Sequence, residues 1–303
     1  MKSFSNIIIG LACFGLFVTP IFAQDKTQTE ISPKATNVSW KQIALYDSTH
    51  PNLEMQKIQA EKTGVKNPKP GTKRLKNTPK QTDSKAVGQT TILNPMASTP
   101  NSRATAEAFP CRNFTALNSN NTSFPPDVNG AVGFNHLMTT LNSQVRIQEK
   151  NGHNISTVSL LAFWQAGLPS LTDVFDPKIT YDPYNHRFIF VCCVQRRSAA
   201  SSIVIALSQT SDPTGGWWMY QIDIDGNNDE WFDFPSMGFN KKWITISGNL
   251  FGSPLASGGF TTTRTFVFNK SDLYAGAGTT YFSWDRSDYF TICPAITYDN
   301  GIE

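Results

Sequence analysis

An acidic loop is the part of this sequence whose residue types and spacing could hold a metal ion. Oxygen-bearing side chains recur at alternate positions from Asp223 to Asp229, around Gly226. Hard cations such as calcium bind this kind of loop, although here the glycine stands fourth rather than sixth, unlike an EF-hand. The pattern predicts a calcium site, with a solvated acidic turn as the alternative. Its ligands would be Asp223, Asp225, Asn227 and Asp229.

Aspartates near the starts of predicted strands could do acid–base chemistry. They are Asp127, Asp176, Asp182 and Asp233. A glycoside hydrolase needs two carboxylates flanking the scissile bond. An aspartate at a strand start is also a typical turn residue that bonds nearby backbone N–H groups. The sequence places no two of them within reach of each other, so no catalytic residue is predicted.

Arginine and tryptophan side chains supply the predicted ligand contacts. Arg196 and Arg197, with Arg187, could bind the carboxylate of an acidic sugar bidentately. Trp217 and Trp218 are consecutive in a strand-like run, so one of them is expected to face outward. Trp218, Arg196 and Arg197 are therefore predicted to bind a ligand, with core packing as the alternative for the tryptophan.

Several common enzyme classes lack support in the sequence. None of the 4 histidines has a partner at metal-ligand or catalytic-triad spacing. Phosphate-cradling and dinucleotide-binding glycine motifs are missing as well. An enzyme is therefore less favoured than a binding protein.

The elements that must position these residues are β-strands. Apolar, β-branched runs alternate with turns rich in glycine, proline, asparagine and aspartate, which is typical of an all-β protein. One four-stranded unit is predicted from 178–181, 187–194, 202–208 and 217–223. The large aromatic residues, 21 Phe and 7 Trp, suit the packed faces between sheets.

A repeat indicates how these units are arranged. The hexapeptide that begins at Pro177 returns at Pro294, with a variant at Pro235. A β-rich unit recurring every ~40–60 residues favours propeller blades. We predict an incomplete β-propeller-like array of four-stranded antiparallel blades. The blades would begin near Asp127, at 176, near Asp233, and near Tyr281 or Pro294, and a β-sandwich is the alternative.

The N-terminal third is predicted to differ from the rest. Residues 1–23 resemble a secretory signal peptide, with Lys2 followed by a short apolar core. Residues 24–105 are basic and rich in polar residues, so they are predicted to be a largely disordered extension, with a short helix over 53–63. The propeller-like domain is assigned to 106–303. The protein is expected to be secreted, extracellular or periplasmic, without a transmembrane segment.

Charge is unevenly divided along the chain. The net charge of +3 combines a basic segment, residues 24–110, with an acidic remainder. The lysines of the basic segment lack interleaved aromatic residues, which is typical of a solvated chain rather than of a nucleic-acid site. No nucleic-acid partner is predicted.

Four cysteines remain after the predicted signal peptide, namely Cys111, Cys192, Cys193 and Cys293. Export makes disulfides possible, and the pairing is open. Cys192 and Cys193 are adjacent in a strand, so their side chains should face opposite ways. We predict one disulfide or two buried thiols.

Three groups of residues carry a resemblance to a known class of protein. The run from Pro125 to Gly133, the pair Phe175-Asp176-Pro177 with Tyr181-Asp182-Pro183, and Thr210-Ser211-Asp212-Pro213-Thr214 with Trp217 resemble motifs of large secreted bacterial β-propeller-like proteins. Those proteins often carry C-terminal sorting or adhesion modules. The last motif is also similar to the Asp-box turn of sialidase-type propellers. The resemblance implies secretion, a propeller-like fold and a longer natural chain, without an activity.

Three functions are therefore compatible with the sequence. The first is a secreted module that binds a carbohydrate or a cell-surface protein. The second is a glycoside hydrolase of sialidase-like shape, and the third is a truncated product without function. Calcium is the one cofactor that the sequence suggests.

Overall fold

The computed structural model of this protein describes residues 28–51, 53, 112–252 and 258–298. The predicted signal peptide, most of the predicted helix 53–63 and most of the basic extension lie outside these residues. The described elements, in chain order, are β1 (Gln28–Ile31), β2 (Thr36–Ser39), α1 (Trp40–Thr49), β3 (Asn129–Val132), β4 (His136–Thr140), β5 (Gln144–Glu149), β6 (Asn154–Ser159), α2 (Leu160–Gln165), β7 (Val174–Asp182), β8 (Arg187–Val194), β9 (Ser202–Ser208), β10 (Gly216–Asp223), β11 (Glu230–Phe239), β12 (Trp243–Gly252), β13 (Phe260–Asn269), α3 (Lys270–Tyr274) and β14 (Thr280–Arg286).

Three antiparallel sheets follow one another along the chain, as the all-β prediction requires. Sheet 1 has the order β3-β4-β5-β6. Sheet 2 has the order β7-β8-β9-β10, with β2 added beside β10, and sheet 3 has the order β11-β12-β13-β14, with β1 added beside β14. The first strand of each sheet lies next to the first strand of the following sheet. The two-layer β-sandwich alternative is wrong, because the strands form three sheets.

Two hydrophobic clusters hold the sheets together. One lies between sheets 1 and 2 and contains Trp164 and Trp217, and the other lies between sheets 2 and 3 and contains Phe232 and Phe266. Sheet 2 is therefore covered on both faces, which explains why β8 and β9 are apolar at almost every position. Cys192 points into the first cluster and Cys193 into the second, as their adjacency predicts.

The segment predicted to be a disordered extension contains ordered structure, so that prediction is wrong for residues 28–50. Strand β1 pairs with β14, and β2 pairs with β10. Helix α1 begins at a capping box in which Ser39 and Gln42 bond each other's backbone N–H groups. The composition of the whole extension is polar, but Val38, Trp40 and Ile43 are buried and anchor this part of it.

The first strands of sheets 2 and 3 bend at the same place. Each has a bulge, between Phe175 and Lys178 in β7 and between Asp233 and Ser236 in β11. Asp176 and Phe234 have positive φ angles of 52° and 55° there, and Asp127 has a φ of 45° just before β3. Bulges re-aim side chains and are frequent beside functional sites. The repeated prolines Pro177 and Pro235 lie within these bulges, so the sequence repeat marks equivalent positions.

The predicted strands of the second unit are confirmed, and one predicted blade boundary is wrong. Tyr281 does not begin a fourth unit, because it belongs to β14 of sheet 3. After Pro294, Ile296 forms a parallel bridge with Phe239 at the end of β11. This is where the first strand of a further sheet would lie. Closure of the sheets into a ring stays a prediction.

Disulfide and membrane predictions can be compared with the described residues only. Cys192, Cys193 and Cys293 are free thiols there, and Cys111 lies outside the described ranges. Among the parts of the chain that the structure describes, no helix combines the length and the apolar character needed to cross a membrane.

Candidate functional site

A cavity of about 380 Å³ opens where the bulged first strands of the sheets meet. This volume falls in the range of small-molecule sites. Its walls come from the first strands of sheets 2 and 3, from the segment before β3, and from the β4–β5 and β8–β9 loops. The bulges explain the cavity, because they turn the side chains of β7 and β11 away from the regular alternation of the strands.

Three carboxyl groups line the cavity, and they belong to residues far apart in the sequence. Asp127 precedes sheet 1, Asp176 lies at the bulge of sheet 2, and Asp233 lies at the bulge of sheet 3. Both Asp127 and Asp233 lie close enough to Asp176 for their charges to act on its carboxyl group. Three of the four aspartates singled out in the sequence thus come together.

Asn142, in the β4–β5 turn, fixes two of these aspartates. Its Nδ2 donates to Asp127 Oδ2 and, at 3.0 Å, to the Pro125 carbonyl. Its Oδ1 accepts the Asp176 N–H at 2.7 Å. The side chain therefore connects the segment before sheet 1 with the bulge of sheet 2.

The proximity of the carboxyl groups changes their acidity. Burial, followed by the negative charges of Asp233 and Asp127, raises the pKa of Asp176 from 3.8 to about 7. Burial also raises the pKa of Asp233, while the Phe234 N–H and the Arg196 guanidinium oppose that rise. Asp176 is therefore the group that retains a proton close to neutral pH.

Two arginines of the β8–β9 loop supply positive charge to the cavity. The Arg196 guanidinium lies 4.2 Å from the centre of the Phe175 ring, and its Nε is 3.8 Å from Asp173 Oδ2. The Arg197 guanidinium lies 5.7 Å from the centre of the Trp231 ring. Stacking on an aromatic ring orients the plane of each guanidinium group. Both predicted ligand-binding arginines are at the cavity, and their binding role stays a prediction.

Aromatic rings form the remaining walls. Phe124 is 94 % exposed and Phe234 is 49 % exposed, although both are large and apolar. Trp231 is stacked on Phe251 with ring centres 5.1 Å apart. Exposed rings beside charged groups are typical of ligand sites.

Trp218, the third predicted ligand contact, lies elsewhere. It is absent from the cavity wall, and its ring packs beneath Gly276, in the turn after α3. Its neighbour Trp217 points into the core and donates from Nε1 to the Pro213 carbonyl at 2.9 Å. The two side chains do face opposite ways, but the turn after α3 covers the side on which Trp218 lies.

Two other residues that the sequence singled out for sugar chemistry are also away from the cavity. Asp182 is fully buried and forms an ion pair with Lys270, its Oδ2 lying 3.0 Å from Lys270 Nζ. It also accepts from the Tyr274 hydroxyl at 2.8 Å. Arg187 donates to the Ser208 carbonyl at 3.0 Å. The Asp182 contacts join sheet 2 to α3, whereas the Arg187 contact links β8 to β9 within sheet 2.

The predicted metal loop has a different set of converging side chains. Asp225, Asp229 and Glu230 each place one carboxylate oxygen within 4.8 Å of the others. Asp223 instead accepts the Asp225 N–H at 3.3 Å, and Asn227 is exposed. Glu230 was missed because the alternation from 223 to 229 gives no reason to include the following residue.

Two of the cavity residues could not be assigned a role from the sequence. Asn142 gives no signal, because its partners are distant in the chain. Trp231 belongs to the set of tryptophans without any mark that separates it from core residues. Phe234, which also lines the cavity, follows Asp233 and precedes the repeated Pro235, and this repeat was the available signal.

Comparison with known proteins adds little to this description. No family model matches the chain, and no curated protein matches it. A solved structure, the native arabinanase Arb43A of Bacillus subtilis, is 10 % identical, over 51 % of this chain and 79 % of that one, with a TM-score of 0.24. A likeness of this size carries no argument about function, so the function has to be argued from the site.

Proposed function

We propose that this protein binds a carbohydrate in the cavity and acts outside the cytoplasm, as its signal-like N-terminus predicts. The observation that carries the proposal is the convergence of Asp127, Asp176 and Asp233 with Arg196 and Arg197 on one cavity. Carboxylates accept hydrogen bonds from sugar hydroxyls, and guanidinium groups donate hydrogen bonds to them. Rings at the wall offer apolar surface to the faces of a sugar.

Charge balance supports a neutral or weakly charged sugar. The cavity contains three carboxyl groups and two arginines, and Asp176 carries a proton up to a pH of about 7. The two remaining carboxylates match the two guanidinium groups in number. A strongly anionic polymer would meet negative charge at Asp127 and Asp233, which argues against nucleic acid as the ligand.

Hydrolysis of a glycosidic bond is the second candidate, favoured by the raised pKa of Asp176. A carboxyl group that is protonated near neutral pH can act as a general acid. Glycosidases hold their two carboxyl groups about 5–5.5 Å or about 6.5–9.5 Å apart. The negative charges of Asp127 and Asp233 both raise the pKa of Asp176, so three carboxyl groups are grouped together here rather than two at a set separation. Binding is therefore placed first, and in hydrolysis Asp176 would be the general acid.

The binding proposal is tested with the full chain on a broad glycan panel, followed by calorimetric titration of any ligand found. Arg197→Ala is expected to weaken binding about tenfold or more, because a charge-assisted hydrogen bond is lost. Lys241→Ala is the matched control, since Lys241 is an exposed cation away from the cavity wall. The proposal fails if no saccharide binds, or if both variants bind as the unmodified chain does.

The hydrolytic candidate is tested by release of reducing sugar from the same ligands. If it is correct, kcat/KM decreases as the pH rises above about 7, because the Asp176 proton is lost there. Asp176→Asn should abolish release while binding persists. Binding without release would leave carbohydrate recognition as the function.

A further inference from the structure

The β10–β11 loop contains a cluster of carboxylates away from the cavity. The cluster consists of Asp225, Asp229 and Glu230, whose nearest oxygens lie within 4.8 Å of one another. Like charges this close repel each other unless a proton or a cation lies among them. Closeness alone does not identify a ligand, so a second observation is needed.

The second observation concerns the hydrogen bonds of the two carboxylate oxygens of Asp225. Oδ2 accepts the backbone N–H groups of Asp229 at 2.8 Å and of Glu230 at 3.0 Å. Oδ1 is buried and has no hydrogen-bond partner among the described residues, and the residue as a whole is only 8 % exposed. A buried acceptor without a partner is uncommon in folded proteins and calls for an explanation, such as an ion.

The surroundings leave the cluster negatively charged. Arg264 is the nearby cation, and its guanidinium is occupied by both oxygens of Asp285, at 2.6 and 2.7 Å, and by the Ile224 carbonyl. Thr261 donates to Glu230 Oε1, which orients this carboxylate. Arg264 therefore supports the loop through Ile224 and Asp285, and its single charge, which also acts on Glu230 and Asp225, offsets only part of the charge of three carboxylates.

We propose that Asp225, Asp229 and Glu230 bind a calcium ion. Calcium takes six to eight oxygen ligands in flexible geometry, so three carboxylates with water are a suitable set, whereas magnesium demands a stricter octahedron. A site with water in several positions is expected to have a dissociation constant of about 10⁻⁴–10⁻³ M, as in extracellular calcium modules. The ligand set differs from the sequence-based one, because Glu230 replaces Asp223 and Asn227.

The ion would act on the beginning of β11. Glu230 is the first residue of that strand, and Trp231, which follows it, lines the cavity. An ion bound to Glu230 would fix the path of the backbone that leads to Trp231 and Asp233. Calcium binding would thus stabilise one wall of the cavity, but the metal site does not depend on what the cavity binds.

The test is calcium titration of the full chain by calorimetry, with terbium luminescence as a second probe. One ion per chain is expected, with terbium emission sensitised by Trp231. Asp229→Asn and Glu230→Gln should each weaken calcium binding about tenfold or more, because each removes a charged ligand. Both residues are at least partly exposed, so these variants are expected to fold. Asn227→Ala is the matched control and should bind as the unmodified chain does.

A stability measurement separates a lost ligand from a misfolded variant. Calcium should raise the melting temperature of the unmodified chain and of Asn227→Ala, since a ligand of the folded state stabilises it. It should raise that of Asp229→Asn clearly less at the same calcium concentration. The proposal is overturned if the unmodified chain binds no calcium up to about 10 mM, well above the expected dissociation constant. It is also overturned if Asn227→Ala is impaired as much as Asp229→Asn, or if neither carboxylate variant is impaired.

Discussion

Asp127 and Asp176 are hydrogen-bonded to the same side chain, that of Asn142, although Asp127 precedes sheet 1 and Asp176 lies in sheet 2. Both residues have positive φ angles, 45° and 52°, which non-glycine residues adopt rarely and aspartate tolerates better than most. Strained backbone that the surrounding structure maintains is concentrated at functional sites. The sheets therefore meet at a point where the backbone is strained and where the carboxyl groups of neighbouring aspartates repel each other.

Stability should depend on pH through Asp176. Its pKa is about 7 in the folded protein and 3.8 for an unperturbed carboxyl, so the folded state binds more protons between these pH values. The free energy of unfolding should therefore decrease as the pH rises from about 4 to about 7. Melting temperatures across this range should fall for the unmodified chain. They should fall less for Asp176→Asn, which has no carboxyl to ionise and tolerates positive φ.

Asp288→Asn is the control for this experiment. Asp288 is an exposed carboxyl that pairs with Arg286, and this pairing lowers its pKa. The decrease between pH 4 and pH 7 should persist in that variant. An Asp176→Asn profile as steep as that of the unmodified chain would contradict the assignment of the proton to Asp176.

The ion pair between Lys270 and Asp182 should matter for stability. Lys270 is 2 % exposed and Asp182 is 0 % exposed, so Lys270→Met would leave a buried carboxylate without its cation. Loss of one partner of a buried pair is expected to lower the free energy of unfolding by about 3–5 kcal/mol. Urea unfolding measures this change.

Two further variants decide whether the pair itself is responsible. Adding Asp182→Asn to Lys270→Met should cost less than the sum of the single changes, because the two groups interact. Lys241→Met removes an exposed lysine and should have almost no effect. Additive single changes would show that the interaction contributes little.

Gly276 should not tolerate a side chain. It has a φ of +71°, and an added Cβ would lie 2.7 Å from the Trp218 ring. Gly276→Ala is expected to destabilise the protein by about 1–2 kcal/mol from the backbone alone, with the steric contact adding to this. Gly259→Ala is the control, because nothing lies within 4 Å of its added Cβ. Equal melting temperatures for the two variants would argue against the packing of Trp218 beneath this turn.

Docking of β2 can be tested at Val38. This side chain is 2 % exposed and belongs to the cluster between sheets 1 and 2. Val38→Thr keeps the shape but buries a hydroxyl, so a loss of about 1–3 kcal/mol is expected in denaturant unfolding. Thr36→Val changes an exposed position of the same strand and should be neutral. If Val38→Thr were neutral too, β2 would not be packed on sheet 2.

The thiols should react in an order set by burial. Cys293 is exposed, whereas Cys192 and Cys193 are buried, and burial raises the pKa of Cys193 well above its usual value. Iodoacetamide with peptide mapping should label Cys293 in the native protein and the other two only after unfolding. Native labelling of Cys192 or Cys193 at the rate of Cys293 would contradict the placement of β8 between two cores.

The strands of sheet 2 were predictable because their signals are local. The run 187–194 is apolar throughout, and the turn around Asp212 and Gly215 separates β9 from β10 without ambiguity. The repeat of prolines also placed the first strands of sheets 2 and 3 correctly. Each of these signals depends on residues that are neighbours in the sequence.

The site was only partly predictable because its contacts are not local. Asn142 acts on Asp176, which is 34 residues away, and no pattern in the sequence joins them. Trp218 could not be placed for a similar reason. The period of a strand predicts that neighbouring side chains face opposite sides of the sheet, but it does not predict which side another part of the chain covers. The ordered N-terminal strands were missed because their partners are the last strands of sheets 2 and 3.

The pairing of β1 with β14 and of β2 with β10 has a consequence for biosynthesis. Gln28 pairs with Ser283 and Ser39 with Gly216, so each N-terminal strand is synthesised long before its partner. Until the partner strand is made, the N-terminal strand has nothing to pair with. Contacts of such long range slow folding. Each of these two sheets would therefore be completed by the strand that was synthesised before all of its others.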